Sequence, residues 1–221
     1  APSQFEMNFS YTEAVRACDQ IQLYKLVCRQ VARTMGMTAS FLPKPMVGIN
    51  GNGMHTNFSL AKGNRNIFYE KNGKDGLSKT AWDFIERLLN HAPEICLTMS
   101  SSVNAYRRLD PHFEAPNQIK VSPIDRGAMI RIPVGNERTA RIEIRCVAPD
   151  ANPYLALYTI IKTGLEGKKL SREDGKRERV RFLPGTIYEA MKDFKSSLLI
   201  GKILGDTNKE KYLAFKQAAA E

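Results

Sequence analysis

Residues 48–60 read G-I-N-G-N-G-M-H-T-N-F-S-L, in which a glycine-rich loop runs directly into an alternating segment. Glycine and asparagine tolerate positive φ, and glycine lets a ligand approach the backbone closely. If residues 54–60 form a strand, its period of two places His55, Asn57 and Ser59 on one face. A ring nitrogen, an amide and a hydroxyl beside a flexible loop are typical of a small-molecule site, although a solvated strand edge shows the same pattern.

Composition limits the classes of protein that fit. With 221 residues, of which 43% are hydrophobic, the chain is long enough to bury one sizeable core. It lacks a run of about 18 apolar residues, so we expect no membrane span. Its first residues are neither basic nor apolar, so we expect no signal peptide and a cytoplasmic location. It starts without a methionine and with strand-like residues at once, which favours a fragment of a longer protein.

Cysteine spacing indicates the redox state of the thiols, and the distribution of charge indicates which class of ligand the protein binds. The chain has four scattered cysteines without a C-x-x-C pair, which favours reduced, mostly buried thiols. Its net charge of +10 comes from 33 basic and 23 acidic residues, a balance that also occurs in nucleic-acid-binding proteins. The basic residues do not gather in one tail, however, and no stacking platform or reader motif appears. We therefore predict binding of small anions and no nucleic-acid partner.

The first part of the chain reads as a strand followed by a long helix. Residues 4–9 alternate strictly, which predicts a strand with its three apolar side chains on a core face. A helix is predicted from about residue 12 to residue 35. Ser10 and Glu13 stand in capping-box spacing before it, and Gly36 follows its end.

Later elements have clearer boundaries. Ser78 is predicted to cap a helix that runs to about Asn90, and His91 reads as a helix-end residue rather than a ligand. Asn152 and Pro153 are predicted to cap and begin another helix. The remaining predictions are a possible short strand at 67–69, a charged connector at 168–181 and helices around 187–194 and 209–220.

Charged side chains alternate with apolar ones in two further segments. A strand over residues 140–146 would line up Arg141, Glu143 and Arg145 on one face. Residues 126–133 supply two more arginines in a mostly apolar setting. Placing these charges side by side costs desolvation free energy unless something binds there. A structural network of salt bridges is the alternative.

These segments together favour an anion site with a metal. Guanidinium groups bind phosphate and carboxylate bidentately. The loop at 104–116 adds a carboxylate, Glu114, held between an aromatic residue and a proline. Glu6, His55 and Glu143 form an oxygen-rich ligand set that suits Mg²⁺ or Mn²⁺ rather than a thiolate-bound metal.

A series of short motifs then points to one family. They are Q-F-E-M-N (4–8), F-L-P-K-P-M (41–46), N-G-N-G-M-H-T-N-F-S-L (50–60), G-L-S (76–78), H-A-P (91–93), N-A-Y-R-R-L (104–109), F-E-A-P (113–116), R-G-A-M-I-R-I-P (126–133), R-I-E-I-R (141–145) and A-N-P-Y-L-A (151–156). In this order and spacing, over nearly the whole chain, the sequence resembles the C-terminal catalytic domain of the glutamine synthetase family.

The resemblance implies ATP-dependent ligation of ammonia to the γ-carboxylate of glutamate through a γ-glutamyl phosphate intermediate. It implies that Glu6 binds a Mg²⁺ or Mn²⁺ ion nearer the amino-acid substrate. His55 and Glu143 would bind the ion on the ATP side.

The resemblance also implies substrate contacts. Asn50, Gly51 and His55 should hold glutamate, with Arg108 and Arg145 on its carboxylates. Glu114, in the family's flap over that site, should also take the proton from ammonium. The residues expected to face ATP are Asn57, Ser59, Arg126, Arg131 and Arg141, with Arg126 acting on the phosphates in catalysis.

Two positions and the connector depart from the family's common pattern. Ile49 stands where an aspartate is common, and Asn57 stands where many bacterial members have a second histidine. The connector has no tyrosine before Leu183, so we do not predict control by adenylylation.

The resemblance implies an α+β fold in which an antiparallel sheet forms one wall of the active site and helices pack outside. Residues 1–221 would be the C-terminal part of the catalytic domain, with a core over about 1–165 and the connector and C-terminal helices over about 166–221. Family sites form between subunits of a homo-oligomeric ring and use an N-terminal domain that this chain lacks, so we expect the chain alone to be inactive. A ligase that joins glutamate to polyamines and a non-catalytic structural or regulatory relative remain as alternatives.

Overall fold

The computed structural model describes residues 2–110, 112, 113, 115–169 and 180–221. Within these ranges the chain forms helices around one small sheet. The helices are α1 (Ala14–Thr34), α2 (Lys79–Asn90), α3 (Ala92–Met99), α4 (Val103–Arg108), α5 (Pro153–Glu166), α6 (Ile187–Ser196), α7 (Leu198–Leu204) and α8 (Asp206–Ala220). The strands are β1 (Thr56–Phe58), β2 (Ala61–Lys62), β3 (Arg65–Asn66), β4 (Gln118–Ser122), β5 (Ala128–Arg131) and β6 (Ile142–Ile144).

The main sheet has the order β1-β6-β5-β4, and β2 pairs separately with β3. The pairs β1–β6 and β5–β6 are antiparallel, whereas β4–β5 is parallel. The prediction of an α+β fold is therefore confirmed, but the sheet is mixed rather than wholly antiparallel. The loop at 123–127 runs back along β4, so that β5 begins beside the start of β4. Side-chain alternation carries no information on this direction, because both kinds of pairing share the period of two.

One face of the sheet forms the core. Ile142, Ile144 and Ile130 are fully buried on this face. The ring of Phe58 stacks on that of Phe84 in α2, with centroids 5.2 Å apart. Phe58 thus attaches the edge strand β1 to the helical layer, and aromatic pairs of this kind stabilise beyond their buried area.

The core continues into the C-terminal helices. Phe194 of α6 and Ile200 of α7 are fully buried and belong to the same hydrophobic cluster as the sheet. Tyr212 of α8 donates a hydrogen bond to the carbonyl of Leu97 at 3.2 Å. The segment after the connector is therefore packed on α3 rather than attached loosely.

Two helix starts follow the sequence prediction. The hydroxyl of Ser78 accepts a hydrogen bond from the Ala81 N–H at 3.2 Å. The side chain of Asn152 accepts from the backbone N–H groups of Tyr154 and Leu155, and α5 begins at Pro153. His91 lies between α2 and α3, which confirms it as a helix-end residue.

The capping-box prediction at the start of α1 is wrong. The residue at the N-cap is Glu13, and its side chain makes no capping hydrogen bond. Ser10 lies further upstream in an exposed segment. The spacing of a serine and a glutamate satisfies the motif only when the serine itself takes the N-cap position.

The predicted strand over residues 4–9 is also not formed. The segment has no regular secondary structure, and Phe5, Met7 and Phe9 are exposed, Phe5 by 91%. A strand is stable only beside another strand that satisfies its backbone groups. Among the described residues no strand pairs with this segment, so its alternating pattern has no sheet to join.

Other boundaries differ because local patterns extend beyond the paired residues. The predicted strands over 54–60 and 140–146 are shorter, at β1 and β6. The possible strand at 67–69 is replaced by β3, with Tyr69 making only an isolated bridge to Leu77. The short helices α3, α4 and α7 were not predicted, because they are too brief to show a periodic pattern.

The remaining sequence predictions concern the connector, the thiols and membrane spans. Of the predicted connector at 168–181, residues 170–179 lie outside the described part of the chain. All four cysteines are free, and three of them are buried, which confirms the prediction. Among the described residues, no helix combines the length and apolar character needed to cross a membrane.

We expect Gly164→Ala to destabilise the protein. A Cβ at this position of α5 would lie 2.2 Å from Cε2 and Cζ of the Phe84 ring, which is itself stacked on Phe58. The clash should cost about 1–3 kcal/mol, more than the gain in helix propensity. Thermal unfolding of the variant measures this loss.

Gly185→Ala is the matched control for this test. A Cβ at this position would approach only the carboxylate of Glu189, at 3.7 Å, so the unfolding free energy should change by less than about 0.5 kcal/mol. Equal stability of the two variants would contradict the packing described for α5 and α2.

Candidate active site

The second face of the sheet carries a row of polar side chains. Asn57 on β1 lies directly opposite Glu143 on β6, and Glu143 lies opposite Arg131 on β5. Residues opposite each other in antiparallel strands project from the same face. The sheet therefore places an amide, a carboxylate and a guanidinium side by side across three strands.

Glu143 is the centre of this row and is only 5% exposed. His55 Nδ1 lies 3.3 Å from its Oε1, the Nε of Arg131 contacts its Oε2, and Arg145 Nε lies 4.0 Å from Oε2. Burial alone would raise the pKa of Glu143, but the hydrogen bonds from His55 and Arg131 outweigh it and lower that pKa to about 2. The side chain is therefore a buried anion at neutral pH.

Arg141 and Arg145, which flank β6, extend the charged face. The Nε of Arg141 donates to Oδ1 of Asn57 at 2.9 Å. A guanidinium N–H of Arg145 donates to the backbone carbonyl of Arg126. The period-two prediction for residues 140–146 is thus confirmed: the charged side chains share one face, and Ile142 and Ile144 fill the other.

The glycine-rich loop lies beside this face and is fixed by backbone contacts. The N–H of Asn52 donates to the carbonyl of Pro43 at 2.7 Å. A Cβ on Gly51 would meet that same carbonyl oxygen at 2.3 Å. Gly48 is the one glycine of the loop with positive φ, at 81°. Close approach therefore explains Gly51, and backbone conformation explains Gly48.

Arg108 packs against the glycine-rich loop. It is buried, and it donates to the carbonyls of Arg145 at 2.9 Å and Cys146 at 3.2 Å. Desolvation lowers the pKa of its guanidinium to about 10. A Cβ on Gly53 would lie 2.5 Å from Nη2 of Arg108 and 3.1 Å from the His55 ring. Arg108, Gly53 and His55 therefore lie in direct proximity.

Asn104 in α4 had no role in the sequence analysis. Its side-chain amide accepts a hydrogen bond from the Lys44 N–H at 2.7 Å and donates one to the Lys44 carbonyl at 3.0 Å. Both residues lie in motifs that matched the family, but nothing in the sequence paired them. Through Asn104 and Arg108, α4 therefore contacts both Lys44 and the glycine-rich loop.

For the other residues predicted from the sequence, the described part of the structure shows no contact with Glu143. Asn50 is exposed on the glycine-rich loop, and Ser59 is exposed immediately after β1. Glu6 is exposed, and its carboxylate accepts a hydrogen bond from Asn8 at 3.3 Å. Glu114 lies outside the described residues.

The side chains of His55 and Glu143 converge and form a candidate metal-binding pair. The Glu143 carboxylate suits Mg²⁺ or Mn²⁺, and the His55 imidazole adds a nitrogen donor beside it. In the part of the chain that the structure describes, no group of three histidine, cysteine, aspartate or glutamate side chains could hold an ion. The pair therefore fits as part of a coordination shell.

We expect Glu143→Gln to destabilise the metal-free protein by about 1–2 kcal/mol at neutral pH, because it leaves Arg131 without its anionic partner. A lowered pKa in the folded state gives stability that is present above the ordinary glutamate pKa of about 4.3 and is lost as pH falls through about 2.

Thermal unfolding of the wild-type protein and of Glu143→Gln, with a chelator and from pH 8 to pH 2, measures the difference in stability between them. This difference should be constant above pH ~5 and shrink below pH ~4. A difference that has already vanished at pH 5 would contradict the ion pairs described for Glu143.

The sequence of this chain is similar to those of known proteins of one family. Residues 1–221 match the family described as "Glutamine synthetase, catalytic domain". Glutamine synthetase of Staphylococcus aureus strain MRSA252 is 40% identical over 221 aligned residues, which cover 93% of this chain and 50% of that protein. Glutamine synthetase of Clostridium saccharobutylicum is 38% identical over 233, covering 99% of this chain and 53% of that protein.

A cryo-electron-microscopy structure of Plasmodium falciparum glutamine synthetase has the same fold. It superposes with a TM-score of 0.86 at 24% identity and covers 95% of this chain and 51% of that one. The chain thus spans about half the length of the relatives it matches. Because the family match extends over all 221 residues, the chain belongs to the glutamine synthetase catalytic-domain family.

Proposed function

We propose that the full-length protein containing this chain ligates ammonia to the γ-carboxylate of glutamate at the expense of ATP. The observation that carries the proposal is the buried Glu143 carboxylate, held between His55 and Arg131 on a face rich in arginine. Such a face suits a reaction in which two anionic substrates meet. Membership of the family supports the choice of this reaction over other uses of an anion site.

His55 and Glu143 would hold one Mg²⁺ or Mn²⁺ ion, and Glu6 would contribute to a second. Bound there, a divalent cation supplies charge neutralisation to the phosphoryl group during transfer. The 3.3 Å separation of His55 Nδ1 and Glu143 Oε1 supports the first assignment. Glu6 rests on the family motif alone.

The arginines would divide between the two substrates. Arg108 and Arg145 are assigned to glutamate, with Asn50, Gly51 and His55. The residues assigned to ATP are Asn57, Ser59, Arg126, Arg131 and Arg141. The hydrogen bond from Arg141 to Asn57 supports their common assignment, since it holds the two side chains together on the polar face.

The chemistry proceeds in two steps. An oxygen of the glutamate γ-carboxylate attacks the γ-phosphorus of ATP, and ADP leaves to give γ-glutamyl phosphate. Arg126 and Arg131 would balance the charge spread over the transferred group. Glu114 would then take a proton from ammonium. The ammonia would attack the acyl carbon, and phosphate would depart with the second proton that the nitrogen loses as the amide forms.

The site would be completed by parts of the protein beyond this chain. The relatives are about twice as long, and the described residues offer two converging metal ligands. We propose that the missing carboxylates lie in the rest of the protein before Glu6, and that a neighbouring subunit of a homo-oligomeric ring completes the site. The isolated 221-residue chain should therefore show no ligase turnover, and turnover without any added N-terminal half would contradict this.

An amine other than ammonia is the alternative. Residues that bind ATP and metal do not distinguish ammonia from a polyamine, whereas the segment from Asp110 to Glu114 would. We expect the full-length protein to form glutamine from glutamate, ATP and ammonium, with release of phosphate. A coupled assay with putrescine in place of ammonium is the comparison, and faster turnover with putrescine would establish the alternative.

Glu114→Gln tests the proposed proton transfer in the full-length protein. The variant keeps the size and hydrogen-bonding capacity of the side chain but loses its charge and basicity. It should form the acyl phosphate yet use ammonium poorly, with kcat lower by about 10²–10⁴-fold. Hydroxylamine, which is already neutral near pH 7, should remain a good nucleophile.

The ratio of the two activities separates chemistry from structure. If Glu114 only pairs with an arginine and holds its loop in place, ammonium and hydroxylamine should lose rate equally. Equal losses would therefore overturn the proposed role.

A further inference from the structure

Lys44 stands out because its backbone and side chain are both tied to distant segments. It lies between Pro43 and Pro45, which keep this stretch extended. The amide of Asn104 binds its backbone at both the N–H and the carbonyl, at 2.7 and 3.0 Å. With its backbone held at two points, the direction of the Lys44 side chain is set by α4.

The ammonium of Lys44 joins two loops. Its Nζ donates to the carbonyl of Ile49, within the glycine-rich loop. The same Nζ lies 3.4 Å from the centroid of the Phe113 ring, in the loop that follows α4. A cation this close to an aromatic ring is attracted by the negative face of the ring. One charge therefore links the loop before β1 with the loop after α4.

Phe113 has room to move when this contact is lost. A cavity of about 860 Å³ lies against its ring and is lined by Lys44, Gly48, Tyr106 and Phe182 among others. A ring that borders open space is not locked by packing alone. The contact with Lys44 is therefore the described interaction that fixes the ring relative to the glycine-rich loop.

We propose that Lys44 is a positioning residue of the ligase, which keeps the Ile49 carbonyl and the Phe113 ring at one fixed separation. The inference rests on the proposed function, in which Asn50 and Gly51 hold glutamate. Ile49 immediately precedes these residues, so the hydrogen bond from Lys44 orients the backbone that receives this substrate. None of the residues assigned to ATP lies within this loop, so a shift of the loop should affect glutamate binding more than ATP binding.

The test uses the full-length protein and steady-state kinetics for each substrate. Lys44→Met keeps much of the side-chain volume but removes the charge and the donor. It should raise KM for glutamate about tenfold while KM for ATP stays within about twofold. Lys44→Arg, which retains a cation and a donor, should recover most of the loss.

Two further variants complete the design. Phe113→Leu removes the aromatic face, and combining it with Lys44→Met should raise KM for glutamate no further than Lys44→Met does, because both changes delete one interaction. Lys71→Met removes an exposed lysine from a turn outside the site. It should match the wild-type protein in both constants.

Hydrogen exchange provides a readout that does not depend on activity. In Lys44→Met, backbone amides in residues 46–54 and 112–118 should exchange faster, whereas those of α2 should be unchanged. Wild-type exchange in both segments, or a wild-type KM for glutamate, would overturn the inference. Equal rises in both KM values, or faster exchange throughout the protein, would also overturn it by showing a general structural defect.

The two proposals fail in different ways. A wild-type full-length protein that makes no glutamine would overturn the proposed function. The exchange measurement would still decide whether Lys44 joins the two loops.

Discussion

A single buried carboxylate organises the polar face of this domain. Glu143 lies on the strand between β1 and β5, with isoleucines on either side along the chain. An isolated buried charge would be strongly unfavourable. His55 and Arg131 compensate it from the two neighbouring sides. The pairing of β1, β6 and β5 and the charge balance of the face therefore depend on each other.

The glycine-rich loop is held in a different way, through backbone carbonyls rather than ion pairs. Asn52 binds Pro43, Lys44 binds Ile49, and Arg108 binds the two carbonyls that follow β6. Carbonyl oxygens are fixed in direction by the main chain, so these contacts orient the loop without consuming the carboxylates of the site. The position of the loop therefore does not depend on the ion pairs of Glu143.

The chain divides into a well-packed core and segments whose apolar side chains are exposed. The sheet, α2, α3, α5 and α6 share one cluster of fully buried side chains. By contrast, the segment at 4–9 and much of the apolar surface of α1 remain exposed. Neighbouring exposed apolar side chains mark surfaces that pack against another segment or subunit. Because the relatives are about twice as long, we expect other parts of the protein to cover this side of the chain.

Several features of the fold and the candidate site follow from the sequence alone. Alternation over residues 140–146 placed Glu143 on a polar face, because a strand has a period of two whatever its partners are. Ser78 and Asn152 marked helix starts, because capping is a contact between near neighbours in the chain. The family motifs identified the class of fold through their order and spacing.

Other features depend on partners that are remote in the chain. The strand predicted at 4–9 needs a neighbour that the described residues do not supply, and the parallel course of β4 and β5 depends on the path of the loop between them. Arg108 and Asn104 bind backbone atoms, which every residue possesses and no sequence pattern distinguishes. Interactions of this kind arise only when the chain is folded, because folding alone brings a side chain to one carbonyl among many.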